Sequence, residues 1–388
     1  MRKLLSTLGN RMNKPHYLSC ASTLICALLF SGFIRASDLD TLGLDFNTST
    51  VAEALPKSWS ISTSPDNRIF VTHRAGGFSV LDEQWRVQTF EFAPQDLYYK
   101  GQGGLLDIEF HPQYSENGWV YLSYSSGSDD ENVLKVVRFK LNENDSTVDN
   151  LEIVLVLNEP RDTPVHYGGR LAFMSDGSLL VSSGDGFDYR ERAQILSSHQ
   201  GKILRVSDTG QALTDNPFYS SESAAESKVF TLGHRNPQSV IVLQDGTVVT
   251  HEHGPAGGDE INFLQAGTNY GWPVVTNGMD YIGSTISPFK DYPNMRLPDH
   301  DWTPSIAPSG MVYVKNGSSP LSGRLLITSL KYKQVHSLLL NNQKLDDEKL
   351  IYQGDHRLRD ITLDPQSNIL LLTDGETASI IKLGLYVK

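Results

Sequence analysis

From residue 37 onward the apolar and polar positions alternate in short runs, and sustained helical periodicity is scarce. One pattern recurs: an apolar strand, a Pro/Asp/Gly/Asn turn, and a second strand rich in Val, Leu, Ile and Tyr. It occurs at residues 59–71, 105–124, 170–182, 238–250, 310–327 and 359–372. The fifth copy is looser and carries the insert KNGSSPLSGR. Asp-Gly and Asn-containing turns suit tight hairpins, in which positive φ is required. Six copies, roughly 45 to 75 residues apart, predict a six-bladed β-propeller of four-stranded antiparallel blades. A ring of this kind absorbs the whole chain, so no second domain is expected. A propeller alone does not choose between an enzyme and a binding platform.

The first 36 residues break the pattern. Arg2, Lys3, Arg11, Lys14 and Arg35 flank an apolar run over residues 18–34, and no Asp or Glu precedes Asp38. This is the layout of a secretory signal peptide, so residues 1–36 are expected to be removed and residues 37–388 to form a periplasmic or secreted propeller. The run is short of the roughly 20 residues that span a bilayer, so no stable membrane insertion is expected after cleavage. Cys20 and Cys26 both fall in this segment, which leaves the remainder without disulfides. Loss of its five cations would take the net charge from −12 to −17. So acidic a surface argues against nucleic acid as a partner.

Candidate chemistry clusters where strands end. His166 precedes a Gly-Gly pair that opens a strand, and Asp185 lies in Gly-Asp-Gly at the end of the next. A hairpin brings such ends together, and a His–Asp pair holds a general base in one tautomer; a strand cap and a turn residue fit the spacing equally. His251 and His253 are two apart, as a metal pair on a strand would be, but no third histidine is near. Gly254-Pro255 and Gly257-Gly258-Asp259-Glu260 offer carbonyl and carboxylate oxygens that suit calcium, or form a long acidic turn. Lys331, Arg357 and Arg359 near the last strands would either clamp an anion with several carboxylates or phosphates, or make surface ion pairs.

Ten segments appear in one order: GQGGLL (101–106), HYGGRL (166–171), SGDG (183–186), GKILR (201–205), LGHRNPQ (232–238), EHGPAGGDEI (252–261), NYGWP (269–273), PSIAPSG (304–310), SLK (329–331) and RLRD (357–360). Together they resemble the soluble quinoprotein sugar dehydrogenases, closest to the aldose sugar dehydrogenase branch, across essentially the whole chain after residue 36. The resemblance implies pyrroloquinoline quinone (PQQ) lying across one mouth of the propeller, with a calcium ion bridging cofactor and protein. It implies His166 as general base, Asp185 orienting it, and Arg235 beside the quinone carbonyl that receives hydride. Gln102, Asn236, Tyr281, Lys331, Arg357 and Arg359 would contact PQQ. Backbone oxygens of Gly254 and Pro255 would reach the catalytic calcium, and Glu260 with the Tyr270 backbone a structural one. The implied reaction oxidises an aldose at its anomeric carbon to a lactone and passes electrons to an external acceptor, in a monomer or weak homodimer.

Two departures bear on specificity. Val165 stands where the glucose-specialised branch has an acidic residue, and that branch's long insertions are absent, which favours broad aldose use. His73 stands where the family commonly has Glu. The rival readings are a propeller that binds a protein or glycan without chemistry, and a calcium-dependent lactonase with its ion in the central tunnel. The basic trio favours PQQ over both: a lactonase needs no tricarboxylate clamp, and a scaffold needs no His–Asp pair.

Overall fold

The computed structural model describes residues 40–385. Six separate four-stranded antiparallel sheets follow one another along the chain, so the propeller expectation holds. The chain enters through β1 (Phe46–Pro56). Blade one is then β2 (Ser58–Thr63), β3 (Ile69–His73), β4 (Phe78–Leu81) and β5 (Val87–Phe90). Blade two is β6 (Leu105–Phe110), β7 (Val120–Gly127), β8 (Asn132–Asn142) and β9 (Thr147–Val156). Blade three is β10 (Leu171–Phe173), β11 (Leu179–Ser183), β12 (Lys202–Val206) and β13 (Val229–Leu232). Blade four is β14 (Pro237–Val242), β15 (Val248–Glu252), β16 (Asp259–Leu264) and β17 (His300–Trp302). Blade five is β18 (Pro308–Tyr313), β19 (Arg324–Ser329), β20 (Gln334–Asn341) and β21 (Lys344–Gln353). Blade six is β22 (Arg357–Leu363), β23 (Ile369–Asp374), β24 (Thr377–Leu385) and, outermost, β1.

Each repeat read from the sequence is the first hairpin of one blade. The innermost strands β2, β6, β10, β14, β18 and β22 pack side by side in a closed ring. Neighbouring blades interdigitate: Leu106, Tyr121, Leu134 and Leu155 of blade two meet Leu171, Leu179, Val181 and Leu204 of blade three, all buried. At roughly 25 cal/mol per Å² of apolar surface removed from water, these faces dominate the favourable side of folding. Blade six is closed by the antiparallel pairing of β1 with β24, from Phe46↔Leu385 to Pro56↔Thr377. The sequence reading did not foresee this strand. The proposed signal segment, residues 1–36, lies outside the described residues. No helix among the described residues is long and apolar enough to cross a membrane.

The axis of the ring is filled by one guanidinium. Arg170, just before β10, donates from Nε to the Gln238 carbonyl (2.6 Å) and from Nη2 to the Ser309 carbonyl (3.1 Å). Nη1 reaches Asp107 (3.1 Å) and Asp360 (2.9 Å), and Nη2 the other oxygen of Asp360 (3.0 Å). Its plane lies over the Trp59 ring at 4.2 Å. Trp59, Asp107, Gln238, Ser309 and Asp360 sit on β2, β6, β14, β18 and β22. One side chain therefore touches the inner strand of every other blade. The carboxylates are satisfied further: Asp360 accepts from the Ile61 N–H (2.9 Å), and Asp107 from Ser60 Oγ (2.7 Å) and the Leu171 N–H (2.9 Å). Burial alone would lower the Arg170 pKa, but Asp360 and Asp107 outweigh it and hold it above its ordinary value. Gly310 is required beside the hub, because a Cβ there would come within 2.3 Å of Asp360 Oδ1.

Arg170→Met keeps the length and removes the charge that two buried carboxylates face. The expected outcome is a loss of about 3–5 kcal/mol, the usual penalty for stranding a buried charge. Urea denaturation checks it, read as a lower midpoint at unchanged slope. A loss below 1 kcal/mol would show that the axis tolerates an apolar plug.

Candidate functional site

Within an antiparallel blade, the start of the first strand and the end of the second lie on the same face. His166 precedes β10 and Asp185 follows β11. Arg235 and Asn236 precede β14, and residues 253–258 follow β15. Gln102 precedes β6, while Arg357 and Arg359 open β22. All are thereby delivered to one mouth of the propeller. A cavity of about 270 Å³ opens there, lined among others by Trp59, Arg74, Gln102, Asn236, His253, Arg357 and Arg359.

His166 Nδ1 lies 2.7 Å from Asp185 Oδ1. Both side chains are buried, Asp185 completely. The approach depends on Gly184, where a Cβ would come within 2.2 Å of the His166 carbonyl oxygen. His166 itself has φ of 54°, and its N–H is tied to Gln102 Oε1 at 2.8 Å. Asp185 is fully committed: Oδ1 also accepts from the Phe187 N–H (2.8 Å), and Oδ2 from the Trp272 indole (2.8 Å). Burial works to raise the Asp185 pKa, but the bond from His166 and the charges of His166 and Arg235 outweigh it and keep the carboxyl below its ordinary value. His166 moves down as well: burial disfavours its cation more than Asp185 favours it. The ring is thus neutral at pH 7, Nδ1–H donates to Asp185, and the lone pair is on Nε2. Nε2 makes no hydrogen bond to any described residue.

Arg235 stands beside the dyad. Its Nη1 donates to the carbonyls of His253 (2.9 Å) and Gly254 (2.7 Å), and Nη2 to the Tyr281 hydroxyl (3.3 Å). The guanidinium lies over Trp272 at 5.4 Å, so the indole that holds Asp185 also backs Arg235. The Asn236 side-chain oxygen accepts from the Gly168 N–H at 3.2 Å. Tyr281 is largely exposed; it, His166, Asp185 and Arg235 stand beside the cavity rather than in its wall, which Asn236 and His253 form next to them.

The basic trio is only partly assembled. Arg357 and Arg359 line the cavity, and both are held by Asp374, at 2.9 and 2.7 Å. Lys331 does not line it; Nζ donates to the Ser305 carbonyl (2.9 Å) and sits over the Tyr332 ring at 4.8 Å. Arg74 takes the third basic place at the cavity wall, tied by Nη2 to the Gly101 carbonyl at 2.6 Å. Sequence reasoning assigned no role to Arg74, Trp59 or Trp272, and weighed His253 only as half of a metal pair. Trp272 stood inside the segment NYGWP, and Arg74 directly follows the departure at His73.

The oxygen-rich region divides in two. The Gly254 carbonyl is shared with Arg235, and the Pro255 carbonyl accepts from Ser305 Oγ at 3.2 Å; each keeps a second lone pair. Glu260 pairs across the sheet with Glu252, and burial followed by the Glu252 charge pushes its carboxyl well above the ordinary range. Asn262, which donates to Glu260 at 3.0 Å, leaves its own Oδ1 buried without a partner. Tyr270 joins the cluster by stacking on His234 (5.0 Å), which in turn bonds Glu252 (2.8 Å). Two close carboxyls and an orphaned amide oxygen form a donor set that a cation would relieve. The histidine pair makes no metal centre: His253 Nε2 faces the Pro308 carbonyl at 2.7 Å, and both nitrogens of His251 are buried without partners. Among the described residues no group of three or more His, Cys, Asp or Glu could hold a metal by itself.

The family model for Glucose / Sorbosone dehydrogenase matches residues 55–382. The aldose sugar dehydrogenase YliI of Escherichia coli K12 is 32% identical over 348 residues, covering 87% of this chain and 92% of that one. The crystal structure of the E. coli soluble aldose sugar dehydrogenase in its apo form superposes with a TM-score of 0.82 at 30% identity, covering 88% of this chain and 100% of that one. Quinoprotein glucose dehydrogenase B of Acinetobacter calcoaceticus is 25% identical over 422 residues, 85% of this chain and 86% of that one.

The dyad makes a pH prediction. Because burial outweighs the Asp185 bond, His166 should protonate below the ordinary 6.5. Asp185→Asn removes the contribution that raises it and should move the midpoint lower still. Nitrogen-15 histidine NMR between pH 4 and 8 measures both. A His166 midpoint at or above 6.5 would contradict the buried neutral ring.

Proposed function

The chain belongs to the glucose/sorbosone dehydrogenase family, and on that premise we propose that it is a PQQ- and calcium-dependent dehydrogenase oxidising aldoses at the anomeric carbon to lactones. The observation that carries the reading is the His166–Asp185 dyad, with an unengaged Nε2, at a mouth whose cavity is lined by three arginines. A cavity walled by guanidiniums, amides and the Trp59 ring fits a flat tricarboxylate. Arg357, Arg359, Gln102 and Asn236 would hold that group, with Lys331 and Tyr281 at its rim. Gly254 and Pro255 carbonyls would hold the catalytic calcium, and Glu260 with the Tyr270 backbone a second ion. When bound, PQQ with its calcium supplies the acceptor for the two electrons and the hydrogen that leave C1.

The chain's own residues account for the rest. His166 Nε2 takes the proton of the anomeric hydroxyl, and the resulting imidazolium is stabilised by ionised Asp185. Trp272 and the Phe187 N–H hold that carboxylate so that it stays an acceptor and the ring cannot turn. Arg235, braced by two carbonyls and the indole face, stabilises negative charge that develops beside the dyad. The electrons pass on to an external acceptor. We further propose export, with a mature start near Ser37 that N-terminal sequencing of the secreted or periplasmic protein would check.

The deciding experiment loads the protein with PQQ and calcium and mixes it with D-glucose and other aldoses in a stopped-flow spectrometer. The expected outcome is bleaching of the quinone absorbance by several aldoses. Chelation should abolish it, and calcium should restore it better than magnesium, which demands a tighter octahedron. His166→Asn should still bind PQQ yet bleach roughly 10²–10⁴-fold more slowly, the range for a lost general base. Bleaching at the unaltered rate would remove His166 from the mechanism. No bleaching by any aldose would move the reading to a binding platform.

A further inference from the structure

A bulky residue at positive φ is a genuine outlier, because its Cβ crowds the backbone there. Phe187 has φ of 70°, and the Asp188 N–H donates to the Gly186 carbonyl across it at 2.9 Å. An i→i+2 hydrogen bond around a residue of positive φ is the rarer and more strained form of γ-turn. Gly186, immediately before, adopts φ of 74° at no steric cost. A second glycine at 187 would relieve the turn, yet the position holds a phenylalanine.

Core packing does not account for it, since Phe187 is 44% exposed. Its place does point to a use. The Phe187 N–H binds the same Asp185 oxygen as His166, and its ring meets the His166 imidazole edge to face, centroids 5.3 Å apart at 78°. Tyr281, 62% exposed, lies nearly parallel to it, centroids 6.4 Å apart at 17°. The Tyr281 hydroxyl accepts from Arg235. The two rings thus form an exposed aromatic shelf with His166 at one end and Arg235 at the other.

We infer that Phe187 and Tyr281 are the platform on which the C–H face of a pyranose ring packs, and that Phe187 sets which sugars are accepted. The axial C–H hydrogens of a pyranose carry slight positive charge and suit the negative face of an aromatic ring. The hydroxyls then point sideways, where a proton acceptor and a cation stand. The strained turn fixes the ring beside the base, so the anomeric hydroxyl is presented in register rather than found by search. An open-chain polyol has no rigid flat face and gains little from the shelf. The inference rests on reading His166 as the base, and the test separates the two.

Saturation-transfer NMR with D-glucose on the PQQ-reduced holoenzyme, which cannot turn over without an acceptor, reads the contact directly. Irradiation of aromatic protons should saturate the ring hydrogens of one glucose face in the native protein. In Phe187→Gly that transfer should fall to what Tyr281 alone supplies, while Phe187→Tyr should keep it. Phe187→Gly should also melt no lower than the native protein, since glycine relieves the turn, which excludes unfolding as the cause. In turnover its KM for pyranoses should rise about tenfold with kcat within a few-fold, from the loss of ring contacts. Transfer unchanged in Phe187→Gly, or absent from the native protein, overturns the shelf. So does a kcat loss at constant KM, which would make Phe187 a shield for the dyad. Failure of His166 as the base shows separately, as native-rate bleaching in His166→Asn with saturation transfer intact.

Discussion

Everything at the functional mouth is suspended from one buried guanidinium. Arg170 meets the inner strands of five other blades from its own. Taking one cation and two carboxylates out of water is expensive, and a well-packed apolar axis of the same volume could be as stable. What the ion cluster adds is direction. Guanidinium hydrogen bonds lie in a plane at fixed angles, so six strands that merely need to pack are held in one mutual rotation and height. The first residues of those strands are the ones that reach the cavity.

Asp185 repeats this logic at smaller scale. Its two oxygens are divided among the His166 ring, the Phe187 backbone and the Trp272 indole, and its own N–H donates to the Arg235 carbonyl at 2.8 Å. Base, aromatic shelf and cation are thus fixed relative to one carboxylate. A displacement of any of them is a broken hydrogen bond in a dry site, where broken bonds are costly. This is why a loop position can have the precision of a strand.

The sequence disclosed whatever is periodic or local. Six first hairpins were readable because alternating apolar residues and turn-forming Asp, Asn and Gly recur together, and each one lies in the interior. The outer strands are half-exposed and irregular: Leu151 and Ile153 of β9 face water, so alternation there reports little. β1 was invisible because FNTSTVAEALP looks like a polar linker until its partner, some 330 residues away, is beside it. The His166–Asp185 meeting was legible as a hairpin with both ends at one face. Trp272 was not, since nothing in 87 residues of separation marks an indole as the partner of a carboxylate. Arg170 stood inside HYGGRL with no role assigned, and the hub appears only when the ring closes. Lys331, grouped with the arginines by charge, does not line the cavity although the neighbouring Leu330 does, because its ammonium is held by the Ser305 carbonyl. Asp374 is the shared counter-ion of Arg357 and Arg359, so these two make the ion pairs that charge spacing allowed and still line the cavity.

The pairing of β1 with β24 gives the ring a seam. Five blades can zip as each hairpin leaves the ribosome, but the sixth needs both extremities of the fold at once. Until the last strand arrives, the first must remain an unsatisfied edge, and contacts of such long sequence separation form slowly. The seam also makes the two ends of the fold neighbours. The molecule is then better regarded as a loop that has been cut than as a line that has been bent. Rejoining it there and opening it in another inter-blade turn would change the order of synthesis while leaving the axis, the mouth and the cavity as they are.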